Sequence, residues 1–208
     1  GSVFLAIFSV VRPGDEILVA DPVYSPTRVL TENYLKEFGI KTIFYDPHNL
    51  KTLQKNITSK TKLIFVENPG SNTFDFQDLN KIISIAKKNK LYTAIDNTWG
   101  TPYYLKPIKL GFDMSIVSAT KYYSGHSDVM GGSLAVNKRV FPKVKLAEKI
   151  TGQRLGPDDA YLITRGLRTL DVRLDRHSDN AKKVAAFLSK NKKIKLLYPY
   201  KKNSQNFR

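Results

Sequence analysis

The chain has 208 residues, of which 41% are hydrophobic, with 11 Tyr and 11 Phe; that is enough apolar and aromatic material for a buried core, so a disordered chain is excluded. It contains no Cys, which excludes a disulfide framework and a thiolate metal site, and no run of about 18 apolar residues, so no transmembrane helix is read. The formal charge of +16 raises one competing class, a binder of nucleic acid or anionic surfaces, but the basic residues are dispersed in short pairs, Lys87-Lys88, Lys182-Lys183, Lys192-Lys193 and Lys201-Lys202, with no nucleic-acid motif among them.

Residues 3–11 are apolar enough for a signal-peptide core, yet no basic start precedes them and Arg12-Pro13-Gly14-Asp15 follows in place of a small-residue cleavage site. They read as a buried helix stopped by Pro13-Gly14. If Gly1 and Ser2 open that helix, their backbone N–H groups form a natural phosphate cradle. Glu16-Ile17-Leu18-Val19-Ala20 reads as a strand, and a helix follows from Pro26 or Thr27 to about Phe38, ended by Gly39. Tyr24 falls in the loop between them, at the carboxyl edge of the strand, where an aromatic ring can stack on a planar ligand. Residues 41–45 form the next strand, and Asn49 can cap a short helix. Residues 62–67 are nearly continuously apolar, as in a strand covered on both faces.

A helical stripe of Leu79, Ile82, Ile83, Ile85 and Ala86 comes next, then a strand over residues 91–95 that runs into Asp96. A carboxylate at a buried strand end is costly unless it meets a cation. Met114-Ser115-Ile116-Val117 is a further buried strand, and it leads into Ser118-Ala119-Thr120-Lys121-Tyr122-Tyr123-Ser124-Gly125-His126. A lysine directly after a buried strand sits at the sheet edge where open α/β proteins bind ligands; partly desolvated there, it can act as an imine-forming nucleophile. Residues 131–136 read as a strand, with helices near 140–150 and 157–164 and a long helical pattern through Leu188. Three strand–helix alternations before the Lys121 strand imply an α/β fold with a mostly parallel central sheet and helices on both faces. No Walker loop, no G-x-G-x-x-G after a strand and no internal repeat occur. His48, His126 and His177 are not at metal-ligand spacing, so no metal is expected, and His126 reads as a structural, hydrogen-bonded histidine.

The segment SATKYYSGHSD resembles the lysine signature of the pyridoxal-phosphate (PLP) enzymes of cysteine and methionine metabolism, the trans-sulfuration family, and most of all the cystathionine β-lyases within it. Ala94-Ile95-Asp96-Asn97-Thr98-Trp99, Glu67-Asn68-Pro69-Gly70-Ser71 and Arg165-Gly166-Leu167-Arg168-Thr169-Leu170 resemble further segments of that family, in order, over nearly the whole chain. The resemblance implies a fold type I PLP-enzyme large domain in residues 1–168, and in residues 169–208 a linker helix and the start of a small C-terminal domain. It also implies that the chain is a piece of something longer. Gly1 would already lie in a working loop, while a neighbouring subunit's tyrosine and arginine and a carboxylate-gripping arginine would all lie outside residues 1–208.

By the same resemblance, PLP is the cofactor, Lys121 and Tyr24 are the catalytic candidates, and Lys121, Asp96, Tyr24, Ser118, Thr120, Gly1 and Ser2 form the cofactor site. Lys121 carries the cofactor as an imine, Asp96 keeps its ring nitrogen protonated, Tyr24 stacks on the ring, and Ser118, Thr120, Gly1 and Ser2 hold the phosphate. Ser71 stands where many relatives have an asparagine, which favours a lyase over a γ-synthase. The implied reaction is β-elimination of cystathionine to homocysteine, pyruvate and ammonia. The sister γ-lyase and γ-synthase reactions and an inactive fragment are the alternatives, with a basic nucleic-acid binder as the other class. The expected partners are a sulfur amino acid and further copies of the chain in a dimer of dimers, with no specific nucleic acid and no membrane. The expected location is the cytoplasm.

Overall fold

A computed structural model of the chain describes residues 1–196. They fold as two compact units, Gly1–Val117 with Gly132–Arg154, and Ser118–Gly131 with Leu155–Arg208, the described part of the latter ending at residue 196. The expected second region, from residue 169, is described only as far as that point; residues 197–208 lie outside the described residues.

The first unit is built on alternating strands and helices: α1 (Ser2–Val10), β1 (Glu16–Ala20), α2 (Ser25–Val29), a π-helical turn (Leu30–Tyr34), α3 (Leu35–Glu37), β2 (Lys41–Tyr45), α4 (Leu50–Lys55), β3 (Thr61–Glu67), α5 (Leu79–Lys88), β4 (Tyr92–Asp96), α6 (Thr101–Tyr104), α7 (Pro107–Leu110), β5 (Met114–Ser118), β6 (Gly132–Val136) and α8 (Phe141–Thr151). The six strands form one sheet in the order β2-β1-β3-β4-β5-β6. The pairings of β1 with β2 and β3, of β3 with β4 and of β4 with β5 are all parallel. Every residue of β1 is buried, and so are all of β3 but Lys62, as apolar strands need when helices cover both faces. Ile17, Leu18, Leu63, Ile64, Phe65 and Ile95 are fully buried in one continuous core.

The helices close on this core through their apolar stripes. α1 buries Leu5, Ala6, Ile7 and Val10 and packs against α8. α5 starts where the Asp78 side chain accepts a hydrogen bond from the Lys81 N–H, and it buries Leu79, Ile82, Ile83, Ile85 and Ala86. Two acids taken into the unit are paired. Asp113, 5% exposed, accepts from the Thr93 N–H at 2.9 Å and the Asn137 side chain at 2.8 Å, with Arg139 at 3.4 Å. Glu16 accepts from the Thr58 hydroxyl at 2.6 Å, and this bond, outweighing burial and joined by Lys41 and Lys60, holds its carboxyl below the usual range.

Where the sequence pattern predicts a single helix from about residue 26 to 38, the chain runs α2, a π-helical turn and α3. The wide turn has a local cause: the Thr42 hydroxyl of β2 donates to the Thr31 carbonyl at 2.7 Å, and a carbonyl engaged from outside is one way a helix departs from i→i−4 bonding.

The described part of the second unit holds the segment from Ser118 to Gly131, α9 (Pro157–Leu167) and α10 (Leu170–Leu188). Its small apolar centre is Ala119, Val129 and Ile163, flanked by Tyr123 and Leu162. Among the described residues no helix is long and apolar enough to cross a membrane, and no cluster of His, Cys, Asp or Glu could hold a metal ion.

Candidate active site

The carboxyl ends of β1, β3 and β4 collect polar groups within the first unit. Glu67 and Asp96, the last residues of β3 and β4, are partners in the parallel register and share one rung of the sheet. Asp96 is half-buried. It accepts from the Thr98 N–H at 3.0 Å and the Thr98 hydroxyl at 2.6 Å, both on Oδ1. Burial pushes its carboxyl above the usual carboxylate range, against the pull of those two bonds.

Glu67 is only 4% exposed. Its Oε2 accepts from the Tyr24 N–H at 2.7 Å, and its Oε1 accepts from the Ser71 hydroxyl. Burial first, and then the neighbouring Asp96 charge, push it up to about 7, while the Ser71 and Tyr24 bonds oppose the rise. One carboxyl therefore ties together two loops, the one after β1 and the one after β3. The loops also touch directly: the Ser71 N–H donates to the Pro22 carbonyl at 2.8 Å. The intervening Gly70 is what allows this, since a Cβ there would fall 2.7 Å from Pro22 Cγ and 3.0 Å from the Pro22 carbonyl oxygen. Tyr24 precedes α2 and is 51% exposed, and Trp99 meets Phe74 edge-on at 5.1 Å.

Gly1 caps α1 without any side-chain hydrogen bond, so the leading N–H groups of that nine-residue helix are not capped by a side chain. Gly132, at the start of β6, lies so close to Ser2 that a Cβ there would collide with the Ser2 hydroxyl.

In the second unit, Lys121 lies three residues beyond the end of β5. Its N–H donates to the Ser118 carbonyl at 3.1 Å and its carbonyl accepts from the Gly125 N–H at 2.9 Å. Lys121 is exposed, which corrects the expectation of partial desolvation: the burial of β5 does not extend to the third residue beyond its end. Thr120 closes the loop on itself, its hydroxyl accepting from the Gly131 N–H at 2.9 Å and donating to the Gly131 carbonyl at 3.3 Å. Ser118 is the last residue of β5 and half-buried. His126 bonds through Nδ1 to the Ser124 carbonyl at 2.6 Å.

The geometry thus gathers Tyr24, Asp96 and the unanticipated Glu67 and Ser71 contacts at the strand ends of the first unit, which also holds Gly1 and Ser2. Lys121, Ser118 and Thr120 belong to the second. Glu67 could have been suspected from its place at the end of a nearly unbroken apolar strand, the same signal that marks Asp96.

Parallel strands whose carboxyl ends gather titratable and aromatic side chains are the frame on which α/β proteins bind ligands and cofactors. Within that class, the family model described as Cys/Met metabolism PLP-dependent enzyme matches residues 1–208, and the chain belongs to that family. It is 40% identical over 187 residues to a putative cystathionine beta-lyase of Rhizobium johnstonii, covering 90% of this chain and 47% of that protein. It is 38% identical over 195 residues to an L-alanine/L-glutamate racemase of Wolbachia pipientis, covering 93% and 48%. Among solved structures, a putative O-acetylhomoserine (thiol)-lyase from Campylobacter jejuni, which carries a pyridoxyl-lysine monophosphate, superposes with a TM-score of 0.93 at 32% identity, covering 98% of this chain and 59% of that one. The chain spans about half the length of the curated relatives it matches.

The residues present fit PLP. A carboxyl pushed up by burial, with its hydrogen bonds on one oxygen, suits a protonated ring nitrogen. A helix start without a side-chain cap suits a phosphate.

Proposed function

We propose that this chain carries most of the cofactor site of a PLP-dependent carbon–sulfur lyase acting on cystathionine. The observation that carries the reading is Asp96, a carboxyl at the end of a buried parallel strand whose side-chain hydrogen bonds among the described residues come from the neutral Thr98 N–H and hydroxyl. PLP, when bound, supplies an electron sink for negative charge developing at the substrate Cα. Asp96 keeps the ring nitrogen protonated, Tyr24 offers a ring face for stacking, and Gly1, Ser2, Ser118 and Thr120 are the phosphate donors. For Thr120 that role requires its hydroxyl to give up the long bond to Gly131.

Lys121 Nζ would hold the cofactor through its aldehyde, and as a free amine would accept the Cα proton and deliver a proton to the leaving sulfur. The C–S bond breaks toward sulfur, giving homocysteine; with water, the remaining three carbons end as pyruvate and ammonia. The same reading has the protein working as a homo-oligomer in the cytoplasm, in methionine biosynthesis.

The test is direct. PLP added to the protein should give a visible band near about 420 nm, and Lys121→Ala should abolish it; no band in the unaltered protein refutes the reading. With cystathionine as substrate, pyruvate marks β-elimination and 2-oxobutyrate marks γ-elimination. The racemase relative favours a second reading, proton exchange at Cα without loss of a side chain. It predicts interconversion of alanine or glutamate enantiomers with neither keto acid formed.

A further inference from the structure

The turn that carries Lys121 is held by two residues of the second unit that none of the chemistry above uses. Gly166 lies inside α9, where a glycine costs about 1 kcal/mol relative to alanine. Its position accounts for that cost. A Cβ at residue 166 would collide with the carbonyl oxygens of Tyr123 and Ser124 and fall 2.7 Å from the Ser124 carbonyl carbon. The backbone immediately after Lys121 is therefore laid against the bare backbone of α9.

Arg173, half-buried near the start of α10, fixes the same turn. Its Nη1 donates to the Tyr122 carbonyl at 2.8 Å, its Nη2 to the Gly166 carbonyl at 2.7 Å and its Nε to the Thr169 hydroxyl at 3.1 Å. All three nitrogens are used, two of them to bridge the turn and α9. The guanidinium also lies against Gly125, where a Cβ would fall 2.5 Å from Nη1 and 2.6 Å from Cζ, and Gly125 itself has φ of 74°. The planar fork reaches two carbonyls at once, which an ammonium group on a single stem does not reproduce.

We propose that Arg173 and Gly166 are positioning residues that set where Lys121 Nζ reaches. Resting on the PLP reading above, this means that their loss impairs covalent capture of the cofactor aldehyde more than the non-covalent hold on its ring and phosphate. The ring-nitrogen acid, the stacking Tyr24 and the helix start belong to the other unit, so that of the proposed non-covalent contacts only those of Ser118 and Thr120 lie on the segment that carries the turn. Capture, by contrast, needs the amine within bonding approach, and a displacement of about 1 Å costs on the order of 100-fold in rate.

The experiment compares the unaltered protein with Arg173→Lys and Gly166→Ala, with Lys121→Ala as the zero point. Two quantities are measured. The first is the dissociation constant of pyridoxamine 5′-phosphate, which lacks the aldehyde, by equilibrium dialysis. The second is the rate at which PLP becomes fixed to the chain, quenched with borohydride and read as added mass. In Arg173→Lys the dissociation constant should stay within about 3-fold while capture slows by roughly 10- to 100-fold. Gly166→Ala should shift the same way if it folds; Arg173→Lys decides the matter if it does not. Equal loss of both quantities, or loss of neither, overturns the proposal. No capture in the unaltered protein would sink the PLP reading itself, and this proposal with it, an outcome distinct from capture that proceeds at parity in Arg173→Lys.

Discussion

Replacing Glu67 by Gln should change how stability depends on pH, by an amount the structure sets. The Glu67 carboxyl, 4% exposed, is pushed by burial from 4.5 to about 7. The folded protein therefore holds this proton across a window in which the unfolded chain has released it, and stability falls as pH rises from about 4.5 to 7. At about 1.4 kcal/mol per pH unit, the loss from this one group is on the order of 3 kcal/mol. Glutamine cannot ionise, yet it can still accept from the Tyr24 N–H and can donate to the Ser71 hydroxyl oxygen, so the loop contacts survive. Urea unfolding of the PLP-free proteins, followed by circular dichroism at pH 4.5, 5.5, 6.5 and 8, isolates the effect as the difference between variant and parent. That difference should move in favour of Glu67→Gln by roughly 3 kcal/mol between the lowest and highest pH and level off above 7. A difference flat to within about 0.5 kcal/mol would mean that Glu67 ionises like an exposed carboxyl and that the burial argument is wrong.

Other substitutions follow from the same contacts. Asp96→Asn removes the counter-charge for a protonated ring nitrogen and should weaken PLP binding roughly 10- to 150-fold, the equivalent of a charge-assisted hydrogen bond of about 1.5–3 kcal/mol, as read by titration of the visible band. Asp113→Ala strands the Thr93 N–H, the Asn137 amide and the Arg139 guanidinium and should cost about 3 kcal/mol in denaturant unfolding. Phe65→Ala, at a fully buried place in the centre of the sheet, should cost about 3–5 kcal/mol by leaving a cavity.

Much of the frame was legible because its signals are local. The apolar run of β3, the apolar stripe of α5 and the acid closing β4 each depend on a few adjacent residues, and each stands where the pattern put it. What was not legible depends on distant partners. The π-helical turn after α2 arises from a hydroxyl eleven residues ahead on β2. The role of Gly166 cannot be read from α9 alone, since the carbonyls it admits lie some forty positions earlier in the chain. Lys121 was expected in a partly dry setting because a buried strand precedes it, but burial of a strand says nothing about the loop beyond its last residue.

The pairing of Glu67 with Asp96 shows why strand order matters more than motif content at such a site. Both acids close apolar strands, and nothing within either segment says that the two strands are neighbours. Only the order β1-β3-β4 with its parallel register sets them on one rung. There each loses hydration and Glu67 also feels its neighbour's charge, so both carboxyls are pushed up, Glu67 as far as about 7. An arrangement that raises two acids together is costly for the folded chain near neutral pH. On the proposed reading a protonated ring nitrogen at Asp96 would offset part of that cost, because the loss of hydration that raises the carboxyl also strengthens its attraction to a cation.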